Sequence, residues 1–352
     1  MALSPHRNIV NDIQFHRWLQ FELPDYTSPP LDDAIEATPE AYREDSVIDT
    51  MRDLDAAGNC IVSAMSNSTI SSTSDLNYCQ IPFEPTDPSA FDKTSPLGVI
   101  LYGGALVDPR SYAVLARRLT DQYGLTVVIP VFAGDLQFQF GICNSERLSL
   151  AQTSFPDIEK WLFVGHSFGG VAAVTDVWVE TEMGTQLDEV AGLVLLASDL
   201  QPQLCPGTFI DYSGITDLPF ASVMASEDGI LNTTRWEESK QYLSPDTAFV
   251  VIEGGNHGYF GDYNDTLRTP LLNQSDGEPT ITKYTQWDLT VDVIMGVAEQ
   301  SGLELPAAIS EIETDESMEP TMAPSFSAAG SAYGSIAPFA MVTAFLVWVL
   351  RK

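Results

Sequence analysis

Ser167 stands in Gly165-His166-Ser167-Phe168-Gly169-Gly170, between an apolar run from Trp161 to Val164 and a helix-compatible run from Val171 to Val174. A serine in the pattern Gly-x-Ser-x-Gly can serve as a nucleophile. A strand that turns directly into a helix exposes the hydroxyl and needs glycine two positions to either side, where a Cβ would strike the adjoining strand or helix. The helix N-terminus adds unpaired N–H groups that favour the negative charge built up during acyl transfer. The pattern alone recurs in strand-to-helix turns with idle serines, so its weight comes from the flanking runs and from partners downstream.

A serine hydroxyl is too weak an acid to attack an ester unaided and needs a base of near-neutral pKa, a task that suits imidazole. The chain has 4 histidines. His6 and His16 lie in an irregular N-terminal stretch, and His166 beside the serine points elsewhere on such a turn and reads as a packing or hydrogen-bonding residue. His257 remains as the base, on the glycine-flanked loop Glu253-Gly254-Gly255-Asn256-His257-Gly258. The imidazole in turn needs a carboxylate to fix its tautomer and stabilise the cation. Asp228, in Ala225-Ser226-Glu227-Asp228-Gly229, gives the order Ser, Asp, His; Asp199 is the competing acid, and Glu227 and Glu253 read as solvated neighbours. Backbone donors for a negative oxygen are expected at Phe168 N–H and, on the loop after an earlier strand, at Gly104 or Ala105. This chemistry calls for no cofactor.

These residues must be placed by strands. Leu97 to Tyr102, Leu125 to Pro130, Trp161 to Val164, Val190 to Ala197, Phe220 to Ala225 and Ala248 to Ile252 are short apolar runs of the buried-strand kind. Between them, Asp108-Pro109 opens a helix with an acid as N-cap and proline at the first helical position, Val171 to about Thr181 forms another, and Thr233 to Leu243 a third. Strands alternating with helices at this spacing imply parallel crossovers and a doubly wound, mostly parallel α/β sheet with its site at the carboxyl ends of the strands. About twenty residues separate the strand ending near Ala197 from the one beginning near Phe220, too few for a large helical cap, so the site is bounded by loops such as Leu200 to Leu218 and Asp262 to Thr282.

In this order, Gly165-His166-Ser167-Phe168-Gly169-Gly170, Asp228-Gly229 and Gly254-Gly255-Asn256-His257 resemble the alpha/beta-hydrolase superfamily. Leu101-Tyr102-Gly103-Gly104-Ala105-Leu106-Val107-Asp108-Pro109-Arg110-Ser111-Tyr112, with Asn256-His257-Gly258-Tyr259-Phe260-Gly261-Asp262-Tyr263, is similar to a compact dienelactone-hydrolase-like branch of serine esterases and lipases. The likeness covers about Pro96 to Ala298 and implies hydrolysis of a carboxylic ester or thioester through an acyl-enzyme on Ser167, His257 and Asp228. Two departures stand out: members of that branch commonly carry proline where Gly103 stands, and dienelactone hydrolases proper use cysteine where this chain has Ser167. A non-catalytic, membrane-anchored binding protein on the same fold is the rival class.

Composition bounds the rest. A chain of 352 residues with 44% hydrophobic content is long enough for one large domain plus extensions. A formal net charge of −33 argues against nucleic acid or an anionic membrane surface as a partner, because the field repels phosphate. Residues 1–95, punctuated by proline and by a Ser/Thr/Asn run, read as an N-terminal extension with helical periodicity only from Glu40 to Ala57; parts of it suit leading strands of the sheet. Residues 96–303 form the catalytic domain, 304–335 an acidic Pro/Ser-bearing linker, and 336–350 a hydrophobic anchor. That last run spans roughly 22 Å as a helix, against a hydrocarbon core of roughly 30 Å, and serves either as a transmembrane segment or as the tail of a lipid-anchor signal.

Cys60, Cys79, Cys143 and Cys205 allow three pairings, and the lack of a CxxC pair argues against a zinc or thioredoxin-type site. Cys60 and Cys79 are placed to close a loop in the extension. Sequons at Asn67, Asn232, Asn264 and Asn273 join the even cysteine count in pointing to a lumenal or extracellular face. Met1 to Phe21 shows no unbroken apolar run of the secretory kind. The sequence therefore begins downstream of the true start, or the sequons do not report export.

Overall fold

Among the described residues seven short strands build one sheet, and burial of the inner ones explains their composition. They are β1 (Gln80–Phe83), β2 (Leu97–Tyr102), β3 (Thr126–Pro130), β4 (Lys160–His166), β5 (Val190–Leu196), β6 (Phe220–Ala225) and β7 (Ala248–Ile252). The computed structural model describes residues 27–60, 79–136, 146–181, 184, 187–205, 208–264 and 275–309. The spatial order is β1-β3-β2-β4-β5-β6-β7, with β1 antiparallel to β3 and every other pair parallel. Every residue of β2, β3 and β5 is buried, as expected where helices cover both faces and neither side meets water, whereas β7, expected from its apolar run to be buried, is an edge strand with Ala248, Phe249 and Val251 exposed.

Alternate residues of β2 feed two separate cores. Leu97, Val99 and Leu101 face one cluster and Ile100 and Tyr102 the other. The first is closed by α3 (Ala113–Tyr123), through Leu115, Ala116 and Leu119, and by α7 (Lys283–Ala298), through Val291, Ile294 and Met295. The second is closed by α5 (Phe168–Glu180), whose Val171, Ala172, Val174 and Val177 all lie in it. α5 is apolar almost all round, which suits a helix wrapped by protein on every side. The remaining helices are α1 (Asp32–Ala37), α2 (Asp45–Ala56), α4 (Arg147–Ser154) and α6 (Thr233–Ser239).

The doubly wound, mostly parallel sheet expected from the sequence is present. Local departures have local causes. Asp108 does cap a helical start, its Oδ1 accepting the Arg110 amide at 2.9 Å, but the first turn, Pro109–Tyr112, is a tight 3-10 turn and the α-helix proper begins at Ala113. The helix after the serine begins at Phe168 rather than Val171, because the glycines that follow are needed within its first turn. Residues before 96 contribute β1, whose Pro82 is tolerated because β1 is an edge strand, and the helices α1 and α2. Cys60 and Cys79 form a disulfide that ties the chain beyond α2 to the start of β1, and Cys205 is also disulfide-bonded. Beyond α7, residues 304–309 run back along the body, where Ile309 N donates to Gln122 O at 2.9 Å.

His6, His16, Asn67, Cys143, Asn273 and the hydrophobic run 336–350 lie outside the described residues. Among the described residues no helix is long and apolar enough to cross a membrane.

α4 is pinned to α5 by a carboxylate: Glu180 Oε1 and Oε2 accept the amides of Leu148 and Ser149 at 3.1 and 3.2 Å. Burial, reinforced by Asp176 one turn back, pushes the Glu180 carboxyl up from 4.5 to about 8. A folded state that holds its proton more tightly than the unfolded chain is favoured below the unfolded pKa, and that advantage is lost as pH rises through the folded value. Thermal melts from about pH 5 to about pH 9 should therefore show stability falling with pH, and Glu180→Gln, which cannot ionise, should flatten the fall. Parallel pH profiles for the two proteins would contradict this.

Candidate active site

The register of β2 against β4 brings two loops together. Tyr102, the last residue of β2, pairs with Gly165 of β4, so the backbone leaving β2 at Gly103 runs beside the backbone leaving β4 at Ser167. From β2 the chain passes to β3 on one side, and from β4 onward to the other side, which makes this the switch point of the sheet and opens a crevice at its carboxyl edge. The approach is close enough to exclude side chains. A Cβ on Gly169 would collide with the carbonyl oxygens of Gly103 and Tyr102, and one on Gly165 with the backbone of Gly169 and Gly170.

Ser167 itself adopts φ 54° and ψ −125°. A residue with a Cβ takes such a conformation at a cost of about 1–3 kcal/mol and keeps it only where its surroundings dictate it. Here they do. Ser167 N donates to Leu196 O of β5 at 2.8 Å, and Ser167 O accepts the Gly170 amide at 3.0 Å, so the turn is stitched to the neighbouring strand and to the helix it opens.

Tyr112 stands behind the β2 loop. Its hydroxyl accepts the Gly104 amide at 2.7 Å and, having its own hydrogen left to give, can donate it to His166 Nδ1 at 2.8 Å. Of the two residues expected on that loop, Gly104 directs its N–H to Tyr112 Oη, and Ala105 is the next residue along it. His166 is fully buried and its ring lies 4.7 Å from that of His257, in the packing and hydrogen-bonding role its place in the sequence suggested.

His257 follows β7 and Asp228 follows β6. Their side chains meet with Nδ1 at 2.9 Å from Asp228 Oδ2, both almost wholly out of solvent. The other carboxylate oxygen, Oδ1, accepts the amides of Ile230 and Leu231, each at 2.8 Å. Burial alone would raise the Asp228 carboxyl, but the facing imidazole and these two amides outweigh it, and the group lies below its ordinary value. Among the described residues His257 Nε2 is buried without a hydrogen-bond partner. The competitor, Asp199, is engaged elsewhere: Arg235 forks onto it, with Nη2 at 2.8 Å from Oδ1 and Nε at 3.1 Å from Oδ2. Glu227 and Glu253 are exposed.

Two side chains that sequence reasoning missed hold the His257 loop. Gln286 of α7, fully buried, accepts the Asn256 amide through Oε1 at 3.0 Å and donates Nε2 to Asn256 O at 2.8 Å. Asp276 gathers amides from three loops: Oδ1 accepts Gly229 N, His257 N and Gly277 N at 3.1, 3.2 and 2.9 Å, and Oδ2 accepts Gly258 N at 2.7 Å. Asp276 thus joins the residue after Asp228 to His257 itself. Its setting, Ser275-Asp276-Gly277, reads as an ordinary turn, and no sequence signal marks it; a glutamine within an apolar helix was the one visible hint of Gln286.

Residues 98–287 match the alpha/beta hydrolase family. No curated protein matches the chain in sequence. Among solved structures it is similar to a metagenome-derived lipolytic enzyme at 14% identity, over 61% of this chain and 97% of that one, with a TM-score of 0.37. An esterase from Thermogutta terrifontis, with butyrate bound, is similar at 16% identity over 62% of this chain and 88% of that one, with a TM-score of 0.38. A poly(3-hydroxybutyrate) depolymerase from Bordetella parapertussis is similar at 13% identity over 51% and 78% of the two chains, also with a TM-score of 0.38.

Removing the Asp276 acceptor should loosen the base before it unfolds the protein. Asp276→Ala should cost about 1–3 kcal/mol of local stability, seen as faster amide hydrogen exchange in 228–230 and 256–259 with little change in the strands. Unchanged exchange in both segments would show that Asp276 does not hold them.

Proposed function

Because this chain belongs to the alpha/beta hydrolase family, we propose that it is a serine hydrolase that cleaves a carboxylic ester or thioester through an acyl-enzyme on Ser167. The observation that supports this most is the buried His257–Asp228 pair, with Nε2 left to a partner outside the pair and the ring packed against His166, the residue before the strained serine.

In this reading Ser167 Oγ attacks the carbonyl carbon while His257 Nε2 takes its proton, and the carbonyl π electrons move onto oxygen. The Phe168 and Ala105 amides, placed on the two loops that meet at the crevice, receive that charge as it forms. Asp228, held ionised by the facing imidazole and by its two amides, keeps Nδ1 protonated and stabilises the imidazolium. The tetrahedral species collapses, the C–O (or C–S) bond to the leaving group breaks, and His257 returns the proton to the departing alcohol or thiol. Water then repeats the attack on the acyl-serine, with His257 again as base, and releases the acid.

A small or surface-presented substrate suits the connection between β5 and β6. Its Ile210, Tyr212 and Leu218 are buried against α5, and Tyr212 Oη donates to Val174 O at 2.6 Å, so this segment folds onto the helix rather than rising over the crevice as a cap. The proposal extends to place: the Cys60–Cys79 disulfide suits an oxidising compartment, and Asn232, an exposed sequon residue, caps α6 with Oδ1 while its Nδ2 stays available for a glycan. Residues 336–350 would then anchor the enzyme to the membrane.

A fluorophosphonate probe should label the folded protein on Ser167. Ser167→Ala should abolish labelling and lower kcat on a short-chain p-nitrophenyl ester by about 10⁴-fold or more, His257→Ala by nearly as much, and Asp228→Asn by somewhat less. A folded protein that is neither labelled nor active would be a binding module instead. Protein from its native source should gain electrophoretic mobility on enzymatic removal of N-glycans; an unchanged band would place it on the cytosolic side.

A further inference from the structure

Residues 27–56 lie outside the family match, which begins at residue 98, yet they grip the loop that carries Ala105. Ser28 N donates to Leu106 O at 2.8 Å and Ser28 O accepts the Asp108 amide at 3.1 Å, forming a short parallel bridge with Val107. Leu106, the neighbour of Ala105, is held at φ 58°, and Asp135, whose carbonyl accepts the Leu106 amide at 2.8 Å, at φ 50°. Neither is glycine, so both conformations need support from outside the loop.

Arg52 of α2 supplies it. Its Nε lies 3.0 Å from Asp135 Oδ1 and its Nη2 2.7 Å from Oδ2, and the same Nη2 reaches Asp108 Oδ2 at 3.1 Å. Thr27 Oγ1 adds a bond to Asp135 Oδ2 at 2.7 Å, and Arg110 Nε fixes Asp108 Oδ1 at 2.9 Å. The two carboxylate side chains are only 2% and 4% exposed, and the guanidinium that bridges them balances charges that would otherwise repel without water to screen them. One planar fork therefore spans the chain just after Ala105 and the chain that hydrogen-bonds Leu106.

We propose that Arg52 is a positioning residue for the hydrolytic site: by tying Asp108 to Asp135 it holds the left-handed turn at Leu106 and so sets the direction of the adjoining Ala105 N–H. The proposal rests on the hydrolase reading above and adds to it a role for the N-terminal segment. Arg52 touches no reacting atom, so its contribution belongs to the stabilisation of the oxyanion rather than to substrate binding. Lysine keeps the charge but not the fork.

The test uses the full chain and compares Arg52→Met and Arg52→Lys with the parent on p-nitrophenyl butyrate, with folding checked by circular dichroism and thermal melting. The expected result is a kcat about tenfold or more lower in Arg52→Met at a KM within about twofold of the parent, and a smaller loss in Arg52→Lys. A folded Arg52→Met protein with kcat within about twofold of the parent, or one altered only in KM, overturns the proposal. Should Arg52→Met fail to fold, Arg52→Lys decides: a kcat lowered more than about twofold at a KM within about twofold of the parent supports the proposal and a kcat within about twofold overturns it, since a charge retained between the carboxylates removes the reason for misfolding. A parent protein that hydrolyses the ester while its folded variants match it removes the positioning role alone. A parent that neither hydrolyses the ester nor reacts with a fluorophosphonate removes the hydrolase reading, and this role with it.

Discussion

A serine held at φ 54° is the constraint to which the centre of the molecule conforms. To keep it, the chain needs glycine on both sides, the carbonyl of β5 to receive the serine amide, and a loop after β2 that passes so close that Gly169 cannot carry a side chain. Each of these in turn requires the parallel register of β2, β4 and β5, and that register requires both faces of the sheet to be covered. The local strain of one to a few kcal/mol is small beside the apolar burial of the two cores that flank it, where a single fully buried large side chain contributes roughly 1.5–3 kcal/mol.

Around that turn the structure trades mobility for orientation. His257 sits on a loop rich in glycine, which by composition alone would wander, yet it is bound by Gln286 from α7 and by Asp276 from the segment before that helix. Asp228 is set by two amides of its own turn. The loop carrying Ala105 is held from the opposite side by Arg52 and Ser28. Four loops therefore meet at the carboxyl edge of the sheet, and beside its own amides each has a brace from outside, the Asp228 turn through Asp276, which accepts the Gly229 amide.

Much of this is legible in the sequence, for identifiable reasons. The buried strands announce themselves as unbroken apolar runs, and Phe220–Ala225 ends where the residues predict, whereas Ala248–Ile252 has the right bounds but lies exposed at the sheet edge, which its apolar letters do not reveal. Ser167 and His257 stand out because glycine brackets them and because few histidines compete, and Asp228 because it follows a strand and precedes Gly229. Long-range polar contacts are a different matter. Asp276 and Gln286 act through backbone groups, and an acceptor for amides carries no residue pattern of its own. Gly104 and Ala105 are equivalent as letters; only the placement of Tyr112, eight residues on from Gly104, separates them. Likewise Arg52 looks like one more charge on an amphipathic helix until the fold brings Asp108 and Asp135 to it.

The grip of Gln286 on Asn256 also imposes an order in time. Ser167, Asp228 and His257 are all translated before α7, whose Gln286 steadies the His257 loop. The His257 loop can therefore take the form seen here only after α7 has been made and has docked.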